Sequence, residues 1–379
     1  MAGAAVGQRF ARHALHLLSA QSSFPVGQKG GTVMARRAQG SVSGSSGGGS
    51  GAVAPPPGGA AKSAILSQLE GYGYRTEEEA FYALQAATME LSDLLGDHPH
   101  NLQAALSPNI TRMSASDEQA LENLPCTLGV PLGGPPPPPP SPAPVPPVAA
   151  GTSVNHIPNL PPIRNQDPRG TCVAFSSVAV MEHVLTVGGS YQELSEQFLY
   201  WNCKTNDGDP RPGTWLRFAF PLIRRDGVCL ESTWAYQKLG CATEDCGPPP
   251  PTAIPEALTY RMRDQALPPN SIADIKAALA SRCVAFSIPV FRSWYRSLEV
   301  RRTGRILMPV PNDVQERGGH AMTLVGYQDD PSPGLGGGEF ILRNSWDTAW
   351  GSACVYGAGY GTIPYAYIAR YCMEAYTVA

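Results

Sequence analysis

Three separated residues of this chain have the side-chain types that acyl-transfer chemistry needs. Cys172 follows Gly170-Thr171 and begins an apolar run with helical spacing, and the N-terminus of a helix lowers the pKa of a thiol. His320 stands in the stretch GGHAMTLVGY, where two preceding glycines leave room for a second side chain or a substrate. Asn344 ends the next β-type run, and an amide can orient an imidazole without adding charge.

Each of these residues also has an ordinary structural interpretation. A cysteine in an apolar helix usually belongs to the core, and Cys172 could also be half of a disulfide. The nine cysteines are an odd number, so at least one stays outside intramolecular disulfides, which suits a free thiol without proving one. His156 and His183 lie closer in sequence to Cys172 than His320 does. From the residues alone, these interpretations stay open.

The elements that would position these residues change character along the chain. Apolar residues at helical spacing predict helices over 172–187, 215–225 and 271–280. After them come β-type runs separated by Gly- and Pro-rich loops: CVAFSIPV, HAMTLVGYQ, EFILRNSW and SACVYGAGYG. Helices first and strands second indicate an α+β domain made of two packed halves.

Composition divides the chain of 379 residues into four zones. Residues 1–63 are rich in Gly, Ser and Ala and contain no acidic residue, which predicts a disordered basic tail. Residues 64–132 are acidic and helix-patterned, either as a solvated helical hairpin or as a prosegment or docking module. Residues 133–151 are a proline-rich linker, typical of a stiff polyproline II spacer and less often of a ligand for a proline-binding module. Residues 152–379 form the predicted folded domain.

Charge and hydropathy exclude several classes of protein. A net charge of −3 does not point to nucleic acid, and no apolar run is long enough to cross a bilayer. The first 21 residues lack the clean apolar core of a secretory signal, so a cytoplasmic location is expected. Cys241, Asp245 and Cys246 do not complete a zinc pattern, and neither a metal nor a cofactor is expected.

Three stretches together resemble the papain-like cysteine peptidases: PPIRNQDPRGTCVAFSS, GGHAMTLVGYQ and FILRNSWDTAWG, in that order. His320 follows Cys172 by 148 positions, a separation of the expected order. LSEQFLYWNC, GVCLESTWAYQ and GYGTIPYAYI extend the resemblance over about residues 155–377, the last of them towards bacterial members. The resemblance implies a two-lobed papain-like fold, with a helical left lobe and a β-barrel-like right lobe, behind a largely disordered N-terminal region.

The resemblance implies a role for each matching position. Cys172 would be the nucleophile, His320 its proton partner and Asn344 the group that orients His320. Gln166 would donate its side-chain amide to an oxyanion hole completed by the backbone N–H of Cys172. Two further positions would support the site: Trp346 would shield the Asn–His hydrogen bond from water, and Gly213 would pair through its backbone with an extended peptide.

The sequence also departs from the family pattern. Arg169 stands where the pattern has its first cysteine, and Val173 where it has an aromatic residue, so one usual disulfide is absent. Cys203 and Cys241 fall where another family disulfide has its ends, and the resemblance implies that they pair in an oxidising compartment. The inhibitory helical propeptide of the familiar type is not recognisable in the acidic zone.

The sequence therefore predicts a cysteine peptidase that hydrolyses internal bonds of peptide or protein substrates through a thiolate–imidazolium pair and an acyl-enzyme. Two alternatives stay open: another acyl-transfer enzyme, such as a transpeptidase or amidase, and a non-catalytic binding module. The first 150 residues are expected to fold back over the cleft or to recruit a partner through the acidic segment or the proline-rich linker.

Overall fold

The computed structural model describes residues 119, 123–124, 126–132, 153–309, 313–332 and 334–379. The predicted tail (1–63), nearly all of the predicted acidic helical segment (64–132) and the proline-rich linker (133–151) lie outside the described residues. Within the part of the chain that is described, no helix is both long enough and apolar enough to cross a bilayer.

The first lobe is built from helices. They are α1 (Cys172–Val187), α2 (Glu196–Asp207), α3 (Leu216–Arg225) and the short α4 (Ala253–Ala257). The bounds of α1 and α3 agree with the sequence prediction to within one residue. Every residue of α1 from Cys172 to His183 is buried, because this helix lies between the other helices and the sheet. A helix covered on all sides is apolar on all sides, which explains its weak amphipathic pattern.

The second lobe is built around an antiparallel sheet. Its strands are β2 (Ser153–Asn155), β3 (Asp264–Leu267), β4 (Val284–Phe291), β5 (Gln315–Asp329), β6 (Gly338–Arg343), β7 (Tyr360–Pro364) and β8 (Glu374–Val378). The strand order is β3-β8-β4-β5-β6-β7, and β2 adds to one end of β5. Helices α5 (Ile272–Leu279), α6 (Arg292–Tyr295), α7 (Leu298–Thr303) and α8 (Tyr365–Tyr371) connect or flank the strands.

Strand β5 joins the two hydrophobic cores. Ala321 and Val325 pack into the core that also contains α1, whereas Met322 and Leu324 pack into the core of the sheet lobe. This alternation follows from the period of two along a strand, which points successive side chains to opposite faces. The predicted α+β, two-lobed fold is thereby confirmed, with β5 as the wall between the lobes.

One predicted strand is mostly a loop. The run SACVYGAGYG was expected to be extended, but turns occupy it until β7 begins at Tyr360. Gly357 and Gly359 have φ values of 111° and 84°, a left-handed backbone that interrupts a strand. These two glycines therefore lie just before the start of β7.

Residues 126–132, which the sequence analysis placed in the acidic helical segment, are extended and pack in the folded domain. Within them, β1 (Val130–Pro131) pairs antiparallel with β5, Val130 opposite Gly319 and Pro131 opposite Gly318. Gly129 packs directly against Gly170, where a side-chain carbon would lie 2.3 Å from the Gly170 carbonyl oxygen. Gly and Pro disfavour a helix here, and the sheet supplies the backbone partners that an extended segment needs.

Candidate active site

The candidate nucleophile lies at the contact between the lobes. Cys172 is the first residue of α1, so the positive end of the helix dipole points at its sulfur. The backbone N–H of Ala321, in β5, donates to Cys172 Sγ over 3.4 Å. Strand β5 carries His320 immediately before Ala321, and this register brings the helical and sheet lobes together at the thiol.

His320 is held by two neighbours from the loop after β6. Its Nε2 and the Asn344 Oδ1 are 2.8 Å apart, so the ring nitrogen donates and the amide oxygen accepts. The Trp346 ring stacks on the imidazole with 4.3 Å between ring centroids, and Trp346 is almost fully buried. His320 Nδ1 has no hydrogen-bond partner among the described residues, which leaves this nitrogen for proton exchange with the thiol.

Gln166 is fixed at both ends of its side-chain amide. Its Oε1 accepts from Ser345 Oγ over 2.7 Å, and its Nε2 donates to the Arg169 carbonyl over 2.8 Å. The Nε2 also donates to the Thr127 carbonyl over 3.1 Å. One N–H of the amide is therefore bound by Arg169. The other points into the groove above Cys172, at the contact between the two lobes, where the Thr127 oxygen accepts it.

Gly213 lines the groove, but its own backbone does not pair with the chain in it. Its N–H donates to Tyr200 Oη and its carbonyl accepts from Lys204 Nζ, each over 3.0 Å. The groove-facing bond is one residue further on, where the Thr214 N–H donates to the Gly129 carbonyl over 3.0 Å. Gly213 is still required to be small, because a side-chain carbon there would lie 2.3 Å from the Gly129 oxygen.

Residues 126–132 fill the groove over the thiol. Tyr295 Oη donates to the Cys126 carbonyl at one end, and Val130 pairs with Gly319 at the other. Between them lies Gly129, whose backbone N–H lowers the pKa of the Cys172 thiol. As a result, neither Cys172 nor His320 has any solvent-exposed surface.

Burial favours the uncharged forms of Cys172 and His320 in this closed arrangement. It raises the pKa of the Cys172 thiol to about 11, against the smaller lowering effect of the N–H groups of Ala321 and Gly129. It lowers the pKa of His320 to about 4, although the bond to Asn344 acts in the opposite direction. Excluding water penalises both charged forms, so a thiolate–imidazolium pair is disfavoured while residues 126–132 stay in place.

The predicted Cys203–Cys241 disulfide is not formed. Cys241 bonds to Cys246 instead, five residues away, and Cys203 is a free, buried thiol in α2. Cys203 faces the apolar core of the helical lobe, where a small apolar side chain is needed and no second sulfur is bonded to it. Within the described residues, no cluster of three or more potential metal-binding side chains occurs.

Sequence reasoning missed several residues that contact the site. Ser345 lies between Asn344 and Trp346, so its place in that motif was a usable signal. Thr214 was equally close to a residue already singled out. Residues 126–132 offered no such signal, because their role depends on reaching a distant groove across a proline-rich segment.

Comparison with known proteins places the chain among papain relatives. The model of the papain family of cysteine proteases matches residues 152–367. An uncharacterized peptidase C1-like protein of Acanthamoeba polyphaga mimivirus is 32% identical over 187 residues, which cover 46% of this chain and 54% of that protein. Caricain of Carica papaya is 30% identical over 193 residues, covering 50% of this chain and 49% of caricain.

The fold has a counterpart among solved structures. The crystal structure of xylellain, a cysteine protease from Xylella fastidiosa, superposes with a TM-score of 0.51 at 23% identity, covering 61% of this chain and 86% of xylellain. This likeness supports the fold. The chain spans about half the length of the curated relatives it matches.

Proposed function

Because the chain belongs to the papain family of cysteine proteases, we propose that it hydrolyses peptide bonds with Cys172 as the nucleophile. The observation that carries the proposal is the 2.8 Å contact between His320 and Asn344, placed where β5 meets the start of α1. An oriented imidazole and a thiol at a helix N-terminus suit acyl transfer, because the imidazole is a base and the helix N-terminus favours the thiolate once residues 126–132 no longer bury it.

The proposed reaction has two halves, the acylation of Cys172 and the hydrolysis of the acyl-enzyme. His320 Nδ1 takes the proton of Cys172, and the thiolate attacks the peptide carbonyl carbon. The Gln166 amide and the Cys172 backbone N–H stabilise the oxyanion; losing one such donor typically costs about 10²–10³ in rate. The C–N bond then breaks as the imidazolium protonates the amine. A water deprotonated by His320 attacks the thioester, and the C–S bond breaks as the proton on His320 returns to Cys172.

The proposed substrates are peptides bound along the groove and cut at internal bonds. The support is residues 126–132 themselves, an extended chain that passes the thiol and has neighbours on both sides of it. The Cys126 carbonyl accepts from Tyr295 Oη at one end of the segment, and Val130 pairs with Gly319 at the other. A groove that holds backbone on both sides of the nucleophile has room for an internal bond.

The proposed function is tested with a defined peptide and a thiol inactivator on the full chain. Peptide cleavage and stoichiometric labelling of Cys172 by an epoxide-type inactivator are expected, and Cys172→Ala is expected to remove both. The matched control is Cys203→Ala, which removes a buried thiol of α2 and is expected to keep both activities. Release of terminal residues alone would overturn the internal-bond proposal; ligation of an added amine would favour a transpeptidase.

We also propose that residues 126–132 inhibit the enzyme, so that only the fraction of molecules in which these residues have left the groove is active. Three contacts support this: the Thr127 oxygen accepts from the Gln166 amide, Gly129 packs against Gly170, two residues before Cys172, and β1 pairs with β5. Substrate cannot bind while these residues occupy the same groove. Their departure also restores water, which favours the charged pair over the neutral one.

A pair of glycine substitutions in the full chain tests this inhibition. Gly129→Ala puts a methyl group 2.3 Å from the Gly170 oxygen, so residues 126–132 are expected to leave the groove and Cys172 labelling to accelerate by at least about tenfold. Gly188→Ala is the matched control, because Gly188 ends α1 with φ −73° and tolerates a side chain. Equal labelling rates in both variants and the wild type would rule out the inhibition.

A further inference from the structure

Arg169 is a buried cation beside the proposed active site, at a position where the family resemblance leads one to expect a cysteine. It is 7% exposed. Its guanidinium carbon lies 5.3 Å from the ring centroid of Tyr200 and 5.2 Å from that of Tyr236. A buried guanidinium needs such neighbours, because an uncompensated charge in the interior is costly.

The guanidinium ties three separate segments together. Its Nη1 donates to Gln197 Oε1 over 2.7 Å and to the Gln237 carbonyl over 3.0 Å. Its Nη2 donates to the Glu244 carbonyl over 3.1 Å. Gln197 belongs to α2, Glu244 lies within the loop closed by the Cys241–Cys246 disulfide, and Gln237 lies in the segment just before that loop. The planar fork thus binds a helix and a loop at once.

On the other side, Arg169 reaches the oxyanion donor. Its backbone carbonyl accepts from Gln166 Nε2 over 2.8 Å, and also from the Thr171 N–H over 2.9 Å. Tyr236, against which the guanidinium packs, donates its hydroxyl to the Gln166 carbonyl over 2.8 Å. The backbone and the side chain of Arg169 therefore both converge on the residue that would stabilise the oxyanion.

The second aromatic neighbour connects Arg169 to the groove wall. Tyr200 Oη accepts from the Gly213 N–H over 3.0 Å and donates to the Glu244 carboxylate. The same guanidinium that packs on the Tyr200 ring holds the Glu244 backbone. Movement of Arg169 would consequently reach both the oxyanion donor and the wall of the substrate groove.

We infer that Arg169 is a positioning residue for the oxyanion hole, which acts through Gln166, and for the groove wall, which it reaches through Tyr200. This inference rests on the proposed function. At this position the resemblance implies that a disulfide has been lost. The hydrogen bonds of Arg169 would replace that disulfide, and a reductant cannot break them. Lysine cannot replace the clamp, since an ammonium lacks the planar fork and its paired donors.

Kinetics in the full chain test the inference, in the wild type or the Gly129→Ala background, whichever is the more active. Arg169→Lys is expected to lower kcat for peptide cleavage by about 10²-fold, the effect of a misplaced group of about 1 Å. KM is expected to change much less, because the loss falls on the transition state. The matched control, Arg225→Lys, changes an exposed arginine at the end of α3 and is expected to leave kcat unchanged.

Two further measurements separate positioning from a general loss of structure. A peptide aldehyde adds to Cys172 and puts its oxygen in the oxyanion hole, whereas iodoacetamide alkylates the thiol and forms no oxyanion. Arg169→Lys is expected to weaken aldehyde inhibition by about the factor lost in kcat and to leave the alkylation rate unchanged. Gln166→Ala combined with Arg169→Lys is expected to be no slower than Gln166→Ala alone, because both changes remove the same donor.

The outcomes that would overturn the inference are distinct from failure of the proposed function. Equal losses in alkylation and in aldehyde affinity, or additive losses in the double variant, would show a merely structural role. Should Arg169→Lys fail to fold, Tyr236→Phe removes only the hydroxyl bonded to Gln166, and unchanged aldehyde affinity there would equally overturn it. Absence of both cleavage and Cys172 labelling in the background chain would instead refute the proposed peptidase.

Discussion

At the scale of single residues, two buried imidazoles on neighbouring elements differ in what surrounds them. His320 has Asn344 and Trp346 to fix its ring, whereas neither nitrogen of His183 has a hydrogen-bond partner among the described residues. His183 lies against the ring of His156, 4.6 Å between centroids. Burial and this neighbour lower the pKa of His183 to about 4 from its usual 6.5. Within α1, His183 is thus a cost to stability and no candidate for the base.

The low pKa of His183 predicts acid sensitivity that one substitution removes. The unfolded chain takes up the proton below about pH 6.5, while the folded protein resists it until about pH 4, so stability falls as pH falls between these values. His183→Met is expected to unfold with a free energy about 2 kcal/mol higher relative to the wild type at pH 5 than at pH 7.5. Chemical denaturation at both pH values measures this, and a pH-independent difference would contradict it.

At the scale of elements, short-range and long-range contacts specify different features. The bounds of α1 and α3 followed from local periodicity. The start of β7, within the strand predicted at 352–361, depends on which glycines take a left-handed backbone, and periodicity does not report that. Cysteine pairing also depends on long-range contacts, because it is set by which two sulfurs approach each other after α2 has packed.

Counting thiols checks the pairing of elements. Alkylation of the unreduced, denatured chain is expected to modify seven cysteines and leave the Cys241–Cys246 bond intact. Both of these cysteines fall in one tryptic peptide, between Lys238 and Arg261, so its mass should correspond to an internal disulfide. A cross-linked pair of peptides containing Cys203 and Cys241 would show that the family-type disulfide forms after all.

At the scale of the whole molecule, a buried charge cluster ties α1 and α2 to the segment that leads into the active site. Arg164 donates to Glu182 in α1 over 2.6 Å and to Glu196 in α2 over 2.5 Å. Both carboxylates are buried, which raises their pKa against the lowering effect of Arg164. Gln166 lies two residues further on, so the cluster anchors the chain next to it.

Removal of Arg164 is expected to destabilise the whole domain. Arg164→Met leaves two buried carboxylates without their cation, a loss of about 3–5 kcal/mol in the free energy of unfolding. The deficit should grow as pH rises from about 5 to 8, because the carboxyl groups can then no longer relieve the cost by protonation. Thermal unfolding at both pH values measures it, with the exposed Arg225→Met as the control. A deficit that shrinks with pH would contradict this account.

The candidate site residues and the local elements could be predicted from the sequence. Residue type and chain order singled out Cys172, His320 and Asn344, the resemblance added Gln166, and helical periodicity placed Cys172 at the start of α1. These inferences need only the neighbours of each residue or a motif of a few residues. For the same reason the two-lobed α+β fold could be predicted, since helix and strand patterns are local.

The segment that fills the groove and the residue that holds Gln166 in place could be identified only from the three-dimensional structure. Three features depend on contacts between segments far apart in the chain. Residues 126–132 cover Cys172, Thr214 rather than Gly213 pairs with them, and Arg169 clamps the turn that carries Gln166. Such contacts depend on distances set by packing of the two lobes, and neither periodicity nor spacing along a sequence contains those distances. The physical reason is that a long-range pair forms only once the surrounding chain has placed both partners.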